Sequence, residues 1–258
     1  MTYIDTHAHL TSEQLLPQLS SLLQRAKHAQ VEAIINICTD AASLQAGLSL
    51  VSQDPAVFHT AATTPHDVET EGEAFFPLVE RAAREKKLVA IGETGLDYFY
   101  EHSQRALQQH LLSRYFALAQ SVGLPLIFHC RGAFSDLFAM ADEQYRGLPA
   151  LLHCFTGTWE EAQGVLDRGW LLSISGIVTF KKSEALRAVV RQVPLEQLVI
   201  ETDAPYLAPQ THRGKINEPA FVPEVAQCIA AIKEIPLPEV ARVTRANALH
   251  FFALQQFR

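Results

Sequence analysis

Four histidines and two carboxylates of this 258-residue chain stand shortly beyond apolar runs that have the length of β-strands. Imidazole nitrogens and carboxylate oxygens bind divalent ions such as zinc, manganese, cobalt and nickel. A catalytic zinc ion normally takes three protein ligands and keeps one position open for water, so six ligands predict two ions. Two ions that activate one water molecule are typical of hydrolases. The six residues are His7, His9, Glu93, His129, His153 and Asp203.

The His-x-His pair near the amino terminus is weak evidence when it is taken alone. Side chains alternate along a strand, so His7 and His9 would face the same side and bind one ion. A chain with 11 histidines contains about 0.5 such pairs by chance. A histidine at a strand end, such as His129 or His153, is often only a hydrogen-bonded core residue. The joint occurrence of all six residues therefore carries the prediction.

Strand-like apolar runs alternate with segments of helical apolar spacing along the chain. This pattern predicts an α/β fold, a TIM-type (β/α)8 barrel that forms a single domain over residues 1–258, with an extra C-terminal helix at Leu237–Leu254. The six residues would meet where the strands of such a barrel end. An open doubly wound sheet is the alternative, but THAHL lacks the glycines of a phosphate-binding loop. The predicted strands are Tyr3–Ile4, Val31–Cys38, Val57–Ala62, Leu88–Ile91, Leu126–Phe128, Ala150–Leu152, Leu171–Ile174 and Leu198–Ile200.

Several residues mark predicted helix boundaries. Thr11 with Gln14, and Thr158 with Glu161, fit capping boxes, in which the hydroxyl accepts from a backbone N–H and the later side chain reaches back. Three glycines that precede strand-like runs favour the left-handed conformation that ends a helix. These glycines are Gly123, Gly147 and Gly169.

The composition bears on partners and compartment. A net charge of -7 and a pI of about 5.9 exclude binding to nucleic acid through a general basic surface, although two bound ions would attract phosphate locally. The four cysteines form no CxxC pair, which favours a reducing cytoplasm. The chain shows neither a signal-peptide pattern nor an apolar run of membrane-spanning length. We therefore expect a cytoplasmic monomer without a membrane or an obligate protein partner.

The chain resembles the TatD family of metal-dependent deoxyribonucleases, which lies within the amidohydrolase-like barrels. The resemblance covers nearly the whole chain, and its segments follow in the family's order: IDTHAHL, AIGETGLDYFY, LPLIFHCR, LLHCFTG, ETDAPYLAP, HRGKINEP and NALHFF. It implies two groups of metal ligands with a bridging carboxylate between them. The first group is His7, His9 and Asp203, the second is His129 and His153, and the bridge is Glu93.

The residue at the bridge and two departures from the family pattern bear on substrate choice. Relatives that hydrolyse cyclic amides or phosphotriesters often have a carbamylated lysine at the bridge, so Glu93 favours the nuclease-like branch. Thr64 replaces the first histidine of the family's glycine-x-histidine-proline-histidine stretch, and His66 retains the second. Gly132 replaces the acidic residue that usually follows Arg131. Both departures lie on the expected substrate rim and spare the six ligands.

The predicted activity is hydrolysis of phosphodiester bonds at DNA ends or in single strands by a water molecule that two divalent ions activate. Asp203 is the predicted general base, and Glu93 is the second catalytic carboxylate. His66, Arg131 and Arg213 are the predicted substrate-binding residues, because arginine can fork onto phosphate oxygens. Magnesium would also serve in assays. The alternatives are hydrolysis of an amide, ester or small phosphate compound by the same barrel, and a non-catalytic binding barrel.

Overall fold

The computed structural model of the chain describes residues 1–50, 54–100 and 102–254. Eight parallel strands form one sheet in the order β1 to β8, each paired with the next strand along the chain. A parallel bridge between Ala8 and Ala204 joins β1 to the segment after β8, so the sheet closes into the predicted TIM-type barrel. The strands are β1 Tyr3–Ala8, β2 Val31–Cys38, β3 Val57–Ala61, β4 Ala90–Asp97, β5 Leu126–Arg131, β6 Ala150–Leu152, β7 Leu171–Ile174 and β8 Leu198–Ile200.

Helices follow the strands, as the alternating pattern predicts, and the extra C-terminal helix is present at Leu237–Phe251. None of the helices in the described part of the chain combines the length and apolar character needed to cross a lipid bilayer. The helices are α1 Leu19–His28, α2 Ala41–Leu50, α3 Val68–Arg84, α4 Arg105–Val122, α5 Phe134–Gln144, α6 Trp159–Asp167, α7 Glu184–Gln192, α8 Val222–Lys233 and α9 Leu237–Phe251.

Apolar side chains occupy both faces of the sheet. On β5, Phe128 packs in the layer between the strands and the helices, whereas its neighbour Ile127 joins the cluster inside the barrel. Leu249 of α9 and the following Phe252 join that interior cluster, which also contains Ile4 near the start of β1. The C-terminal helix therefore covers the end of the barrel at which the strands begin, and the opposite end is left for polar groups.

Three strands continue past the apolar residues that predict them. β1, β4 and β5 extend far enough that His7, Glu93 and His129 lie inside strands rather than after them. Strand pairing depends on backbone hydrogen bonds to the neighbouring strands, and a polar side chain does not interrupt these bonds. The apolar runs consequently underestimate the strand length at the end where the polar residues collect.

The predicted helix boundaries are confirmed in part. Thr158 and Glu161 form the capping box that starts α6. The capping box predicted for Thr11 and Gln14 is wrong, because this segment forms turns and α1 begins later. Pro17 has no N–H to donate to a carbonyl one turn earlier, so a helix from Thr11 would lose a hydrogen bond there. The three glycines predicted to end helices are left-handed, with φ of 70° at Gly123, 74° at Gly147 and 70° at Gly169.

Candidate metal centre

The six predicted ligands form one cluster at the end of the barrel where the strands finish. Three of them lie within β1, β4 and β5, and three follow β1, β6 and β8. Five line a cavity of about 530 Å³, and the sixth, His7, is fully buried beside it. The five are His9, Glu93, His129, His153 and Asp203.

Glu93 lies at the centre of the cluster, between two pairs of histidines. Its Oε2 is 3.3 Å from Nε2 of His7 and 3.9 Å from Nε2 of His9. Its Oε1 is 3.2 Å from Nδ1 of His129 and 3.0 Å from Nε2 of His153. Each carboxylate oxygen therefore faces a different histidine pair.

Asp203 joins the first of these pairs. Its Oδ1 is 3.7 Å from Nε2 of His7 and 3.6 Å from Nε2 of His9. The backbone N–H of Asp203 donates to the carbonyl of His7 at 2.9 Å, so the closure of the barrel itself holds the two residues together. Both ends of the chain must fold together before this part of the cluster exists.

The donor set fits divalent metal ions. Nε2 of His7 is buried and has no well-oriented hydrogen-bond partner in the described residues, although Oε2 of Glu93 is close to it. Nδ1 of His129 and Nε2 of His153 are 3.4 Å apart and face each other beside the same carboxylate oxygen. In each histidine pair, the ring nitrogens and an oxygen of Glu93 lie within 4.8 Å of one another. Converging nitrogen and oxygen lone pairs of this kind are what zinc and related ions bind.

The surroundings of Glu93 favour its anionic form. Burial by itself raises the pKa of Glu93, but the charge of His153 and hydrogen bonds from the imidazoles hold it well below its usual value. Burial lowers the pKa of His153, yet attraction to Glu93 and Glu201 keeps it well above the usual value for histidine. The cluster thus has at its centre an anionic carboxylate that is stabilised by the charge of His153 and by hydrogen bonds from the surrounding imidazoles.

Asp97 is a buried carboxylate beside the cluster that the pattern of apolar runs does not predict. Nε2–H of His129 donates to its Oδ2 at 2.8 Å, while its Oδ1 accepts the backbone N–H groups of Phe99 and Tyr100, each at 2.9 Å. Burial raises the pKa of Asp97, but the hydrogen bonds, that from His129 foremost, lower it to about 2. With its proton on Nε2, His129 presents the Nδ1 lone pair to the side where Glu93 lies. Asp97 therefore sets the orientation and the tautomer of this ring.

A close approach of two strands brings Asp97 to His129. A Cβ at Gly95 would lie 2.0 Å from the carbonyl oxygen of His129, and φ of Gly95 is +146°. Only glycine allows β4 to run this close to β5. Glu93, Gly95 and Asp97 alternate along one strand, and this spacing is the sequence signal that would have found Asp97.

Two further carboxylates lie buried behind the cluster. Glu201 accepts the backbone N–H of Cys154 at 2.8 Å, and its Oε1 is 3.4 Å from Nδ1 of His153. Asp5 accepts from the N–H and the hydroxyl of Thr202, at 2.9 and 2.6 Å. Burial raises the pKa of Asp5 to about 8 despite these hydrogen bonds. Asp5 ties β1 to the segment after β8 and so supports the position of the first ligand group.

Two of the three predicted substrate-binding residues line the same cavity. His66 lies with its Nε2 3.6 Å from Oδ2 of Asp97. The exposed Arg131 donates from Nη1 to the Tyr100 hydroxyl at 2.9 Å, and its guanidinium carbon is 4.0 Å from the centre of the Phe99 ring. These contacts hold the guanidinium at the mouth of the cavity, where a substrate would pass it.

Thr64 and Arg213 are the other two residues expected at the substrate rim. Thr64 lines the cavity, but its hydroxyl donates to Oδ2 of Asp67 at 2.9 Å and does not take the place of an imidazole. Arg213 is exposed, does not line the cavity, and lies with its guanidinium carbon 4.2 Å from the centre of the Phe180 ring.

The chain is similar to known proteins over nearly its whole length. The family model described as TatD related DNase matches residues 4–253. The chain is 35% identical over 251 residues to the uncharacterized metal-dependent hydrolase YabD of Bacillus subtilis, with 97% of this chain and 98% of YabD covered. It is 34% identical over 260 residues to a protein of Citrobacter rodentium named 3′-5′ ssDNA/RNA exonuclease TatD, with 97% of each covered.

The fold agrees with a solved structure of a related protein. The crystal structure of YjjV, a TatD homologue from Escherichia coli, matches with a TM-score of 0.92 and 27% identity, and the match covers 97% of this chain and 98% of YjjV. The sequence matches and the shared barrel extend over nearly all of the chain. The chain therefore belongs to the TatD family of metal-dependent hydrolases.

Proposed function

We propose that the protein is a phosphodiesterase that uses two divalent ions to hydrolyse nucleic acid, at DNA ends or in short single strands. The observation that carries this proposal is the position of Glu93, whose two oxygens face two different histidine pairs. A carboxylate placed in this way can bind two adjacent ions, which is the arrangement of many phosphodiester-cleaving enzymes. The relatives named 3′-5′ ssDNA/RNA exonuclease support nucleic acid as the substrate.

The proposed ligands form two groups that share one residue. Imidazole-rich groups favour zinc, manganese, cobalt or nickel, and magnesium would also serve in assays. One ion would be held by His7, His9, Asp203 and Glu93, and the other by His129, His153 and Glu93.

The side chains around the cavity have separate roles in the proposed reaction. Bound divalent ions would supply positive charge beside the phosphate and lower the pKa of a neighbouring water molecule. Asp203 accepts a proton from that water as the water oxygen bonds to phosphorus. The phosphorus–oxygen bond to the leaving group breaks, and the leaving alkoxide takes up a proton from solvent water. Asp97 and Glu201 hold His129 and His153 in place throughout.

Two rim residues would position the substrate. Arg131 can donate two parallel hydrogen bonds to phosphate oxygens, and its contact with Phe99 preorganises it for this role. Burial and the neighbouring His129 lower the pKa of His66, so near neutral pH it is an uncharged imidazole suited to orienting a phosphate. Arg213, beyond the cavity lining, would contact only a longer strand.

A second candidate function is hydrolysis of an amide, an ester or a small phosphate compound at the same site. One observation favours it: the described lining of the metal cavity contains one arginine, Arg131, and no lysine. A site for a long polyanion usually has several such groups. A small substrate would need fewer of them.

Metal dependence and substrate choice can be tested together. The purified protein is first treated with chelator and then reloaded with Zn²⁺, Mn²⁺, Co²⁺, Ni²⁺ or Mg²⁺. Its activity is then measured on single-stranded DNA, duplex DNA, bis(p-nitrophenyl) phosphate and a set of amides and esters. We expect cleavage of DNA that the chelator abolishes and added metal restores. Hydrolysis of the small compounds without cleavage of any nucleic acid would favour the second candidate. Inactivity of fully metal-loaded protein on every compound would favour a binding barrel.

The contact between Asp97 and His129 leads to a prediction about the second ligand group. Asp97→Asn leaves the shape of the side chain unchanged but replaces one carboxylate oxygen with an N–H donor, so the preference for one His129 tautomer is lost. We expect affinity for the second ion and activity to fall by about 10- to 100-fold, as for other partners of metal-binding histidines. Metal titration with elemental analysis measures this. Asp167→Asn, an exposed acid on α6, is the control, and unchanged metal affinity in Asp97→Asn would contradict the assigned role.

The proposal also covers the domain organisation, oligomeric state and compartment of the protein. We propose that residues 1–258 form one barrel domain that acts as a monomer in the cytoplasm. Gel filtration with light scattering would test the monomer, and limited proteolysis would test the single domain.

A further inference from the structure

A second cavity opens beside the metal centre and shares three residues with its cavity: His9, Thr39 and Tyr206. It has a volume of about 420 Å³ and lies between the loop after β1, at residues 11–13, and the start of α2, at residues 39–46. We call it the side recess. Because the two cavities share part of their walls, a molecule bound over Glu93 can extend into the side recess without leaving the protein surface.

Two residues on the wall of the side recess have shielded hydroxyl groups without a hydrogen-bond partner in the described part of the chain. Thr11 is about nine-tenths buried, and its Oγ1 has no hydrogen-bond partner within the described part of the chain. Oγ of Ser12 is also shielded and unpaired in the same part. Burying a hydroxyl without a partner is unfavourable, and a ligand that supplies the missing hydrogen bond removes this cost.

Three backbone N–H groups at the start of α2 already donate to side chains of the protein. Ser43 Oγ accepts the backbone N–H groups of Thr39 and Asp40, each at 3.1 Å, and Oδ1 of Asp40 accepts the N–H of Ser43 at 2.7 Å. These three N–H groups are therefore not available to an anion.

The metal cavity has an arginine on its wall, whereas the charged side chains in the described lining of the side recess are carboxylates. Glu13 and Asp40 place two carboxylates on the side recess, and its described lining has neither lysine nor arginine. Arg131 lines the metal cavity but not the side recess. Phosphate groups are therefore repelled from the side recess and attracted to the side of Arg131. Carboxylates and hydroxyls instead suit the N–H and O–H groups of an uncharged ligand.

Tyr206 stands at the border of the two cavities. It is 54% exposed, and its ring packs edge-on against His9 with 5.9 Å between ring centres. Its backbone N–H donates to the carbonyl of Asp203 at 2.9 Å, so its position is fixed relative to the proposed general base. An exposed aromatic ring at such a border is suited to stacking on a nucleobase.

We propose that the side recess binds the terminal, unphosphorylated nucleoside of the substrate strand, with the adjoining phosphodiester over Glu93 and the rest of the strand on the side of Arg131. This inference rests on the proposed nuclease function and adds to it the form of strand end that the protein accepts. The base stacks on Tyr206, and the hydroxyl groups of Thr11 and Ser12 bind the polar edge of the nucleoside. An end that carries a phosphate brings two negative charges towards Glu13 and Asp40 and binds poorly.

The test uses three thymidine tetranucleotides, with both ends free, with a 5′-phosphate, or with a 3′-phosphate. We expect a phosphate on one of the two ends to lower kcat/KM by about 10-fold or more, because it places like charges together. Glu13→Gln removes one exposed carboxylate and should reduce this discrimination several-fold. Thr11→Val should raise KM for the unphosphorylated substrate more than it changes kcat. Glu143→Gln, an exposed glutamate on α5, is the matched control and should leave the discrimination unchanged.

The outcomes separate this inference from the proposed function. Equal rates of cleavage for all three tetranucleotides would overturn the inference but leave the nuclease function standing. The same conclusion would follow if the enzyme discriminates between the ends and Glu13→Gln does not change this discrimination. If none of the tetranucleotides is cleaved with any of the metals, the proposed function fails and the inference fails with it.

Discussion

Replacing Asp203 with asparagine is expected to lower kcat for phosphodiester hydrolysis by about 1000-fold, within the range for loss of a general base. Asparagine keeps an oxygen near His7 and His9, where Oδ1 of Asp203 lies 3.7 and 3.6 Å from their Nε2 atoms. It cannot accept the proton of the attacking water. The loss should therefore appear in kcat more than in KM, and it is measured by steady-state kinetics on an oligonucleotide.

Two measurements make this result specific to Asp203. Asp167→Asn makes the same chemical change on the surface and should keep the activity of the unaltered protein. The ion proposed for His129 and His153 should remain in Asp203→Asn, as elemental analysis would show, because both histidines and Glu93, its proposed ligands, are unchanged. Activity of Asp203→Asn within tenfold of the unaltered protein would rule out its role as general base.

Replacing Glu93 with glutamine is expected to reduce bound metal from two equivalents to one or fewer and to lower activity by about 1000-fold, equal to about 4 kcal/mol in the barrier. The glutamine amide has one oxygen, so only one of the two histidine pairs can keep an oxygen donor. The NH2 group turns two N–H donors towards the other pair. It also carries no negative charge, whereas the imidazoles around it hold the pKa of Glu93 well below its usual value.

Metal content after dialysis gives a reading of this change that does not depend on activity. Glu143→Gln is again the matched control and should bind the same amount of metal as the unaltered protein. Two tightly held equivalents in Glu93→Gln, together with full activity, would show that the carboxylate does not bridge two ions.

The order of strands and helices was predictable because it depends on local patterns. An apolar run such as Val31–Cys38 must be buried on both faces, and this requirement is visible without knowledge of the neighbouring strands. The helix caps were less predictable. The Thr158 and Glu161 pair formed as expected, whereas Pro17 prevents the similar pair at Thr11 from starting a helix.

The residue types of the cluster were also readable from the chain, because polar groups placed after apolar runs must lie where barrel strands end. The contact between Asp97 and His129 could not be read from the chain, since it depends on how closely β4 approaches β5 at Gly95. The position of Arg213 away from the cavity was equally hidden, because a residue's place in a loop follows from contacts with distant segments such as the ring of Phe180.

Sequence alone thus determined the barrel, the direction of its strands and the set of groups at their ends, since each follows from local periodicity and from the chemistry of single side chains. Only the tertiary structure decided which oxygen of Glu93 faces which histidine pair, and that a second, acidic cavity opens beside His9 and Tyr206. Those features are distances between residues far apart in the chain, and they are set only when the last strand closes against the first.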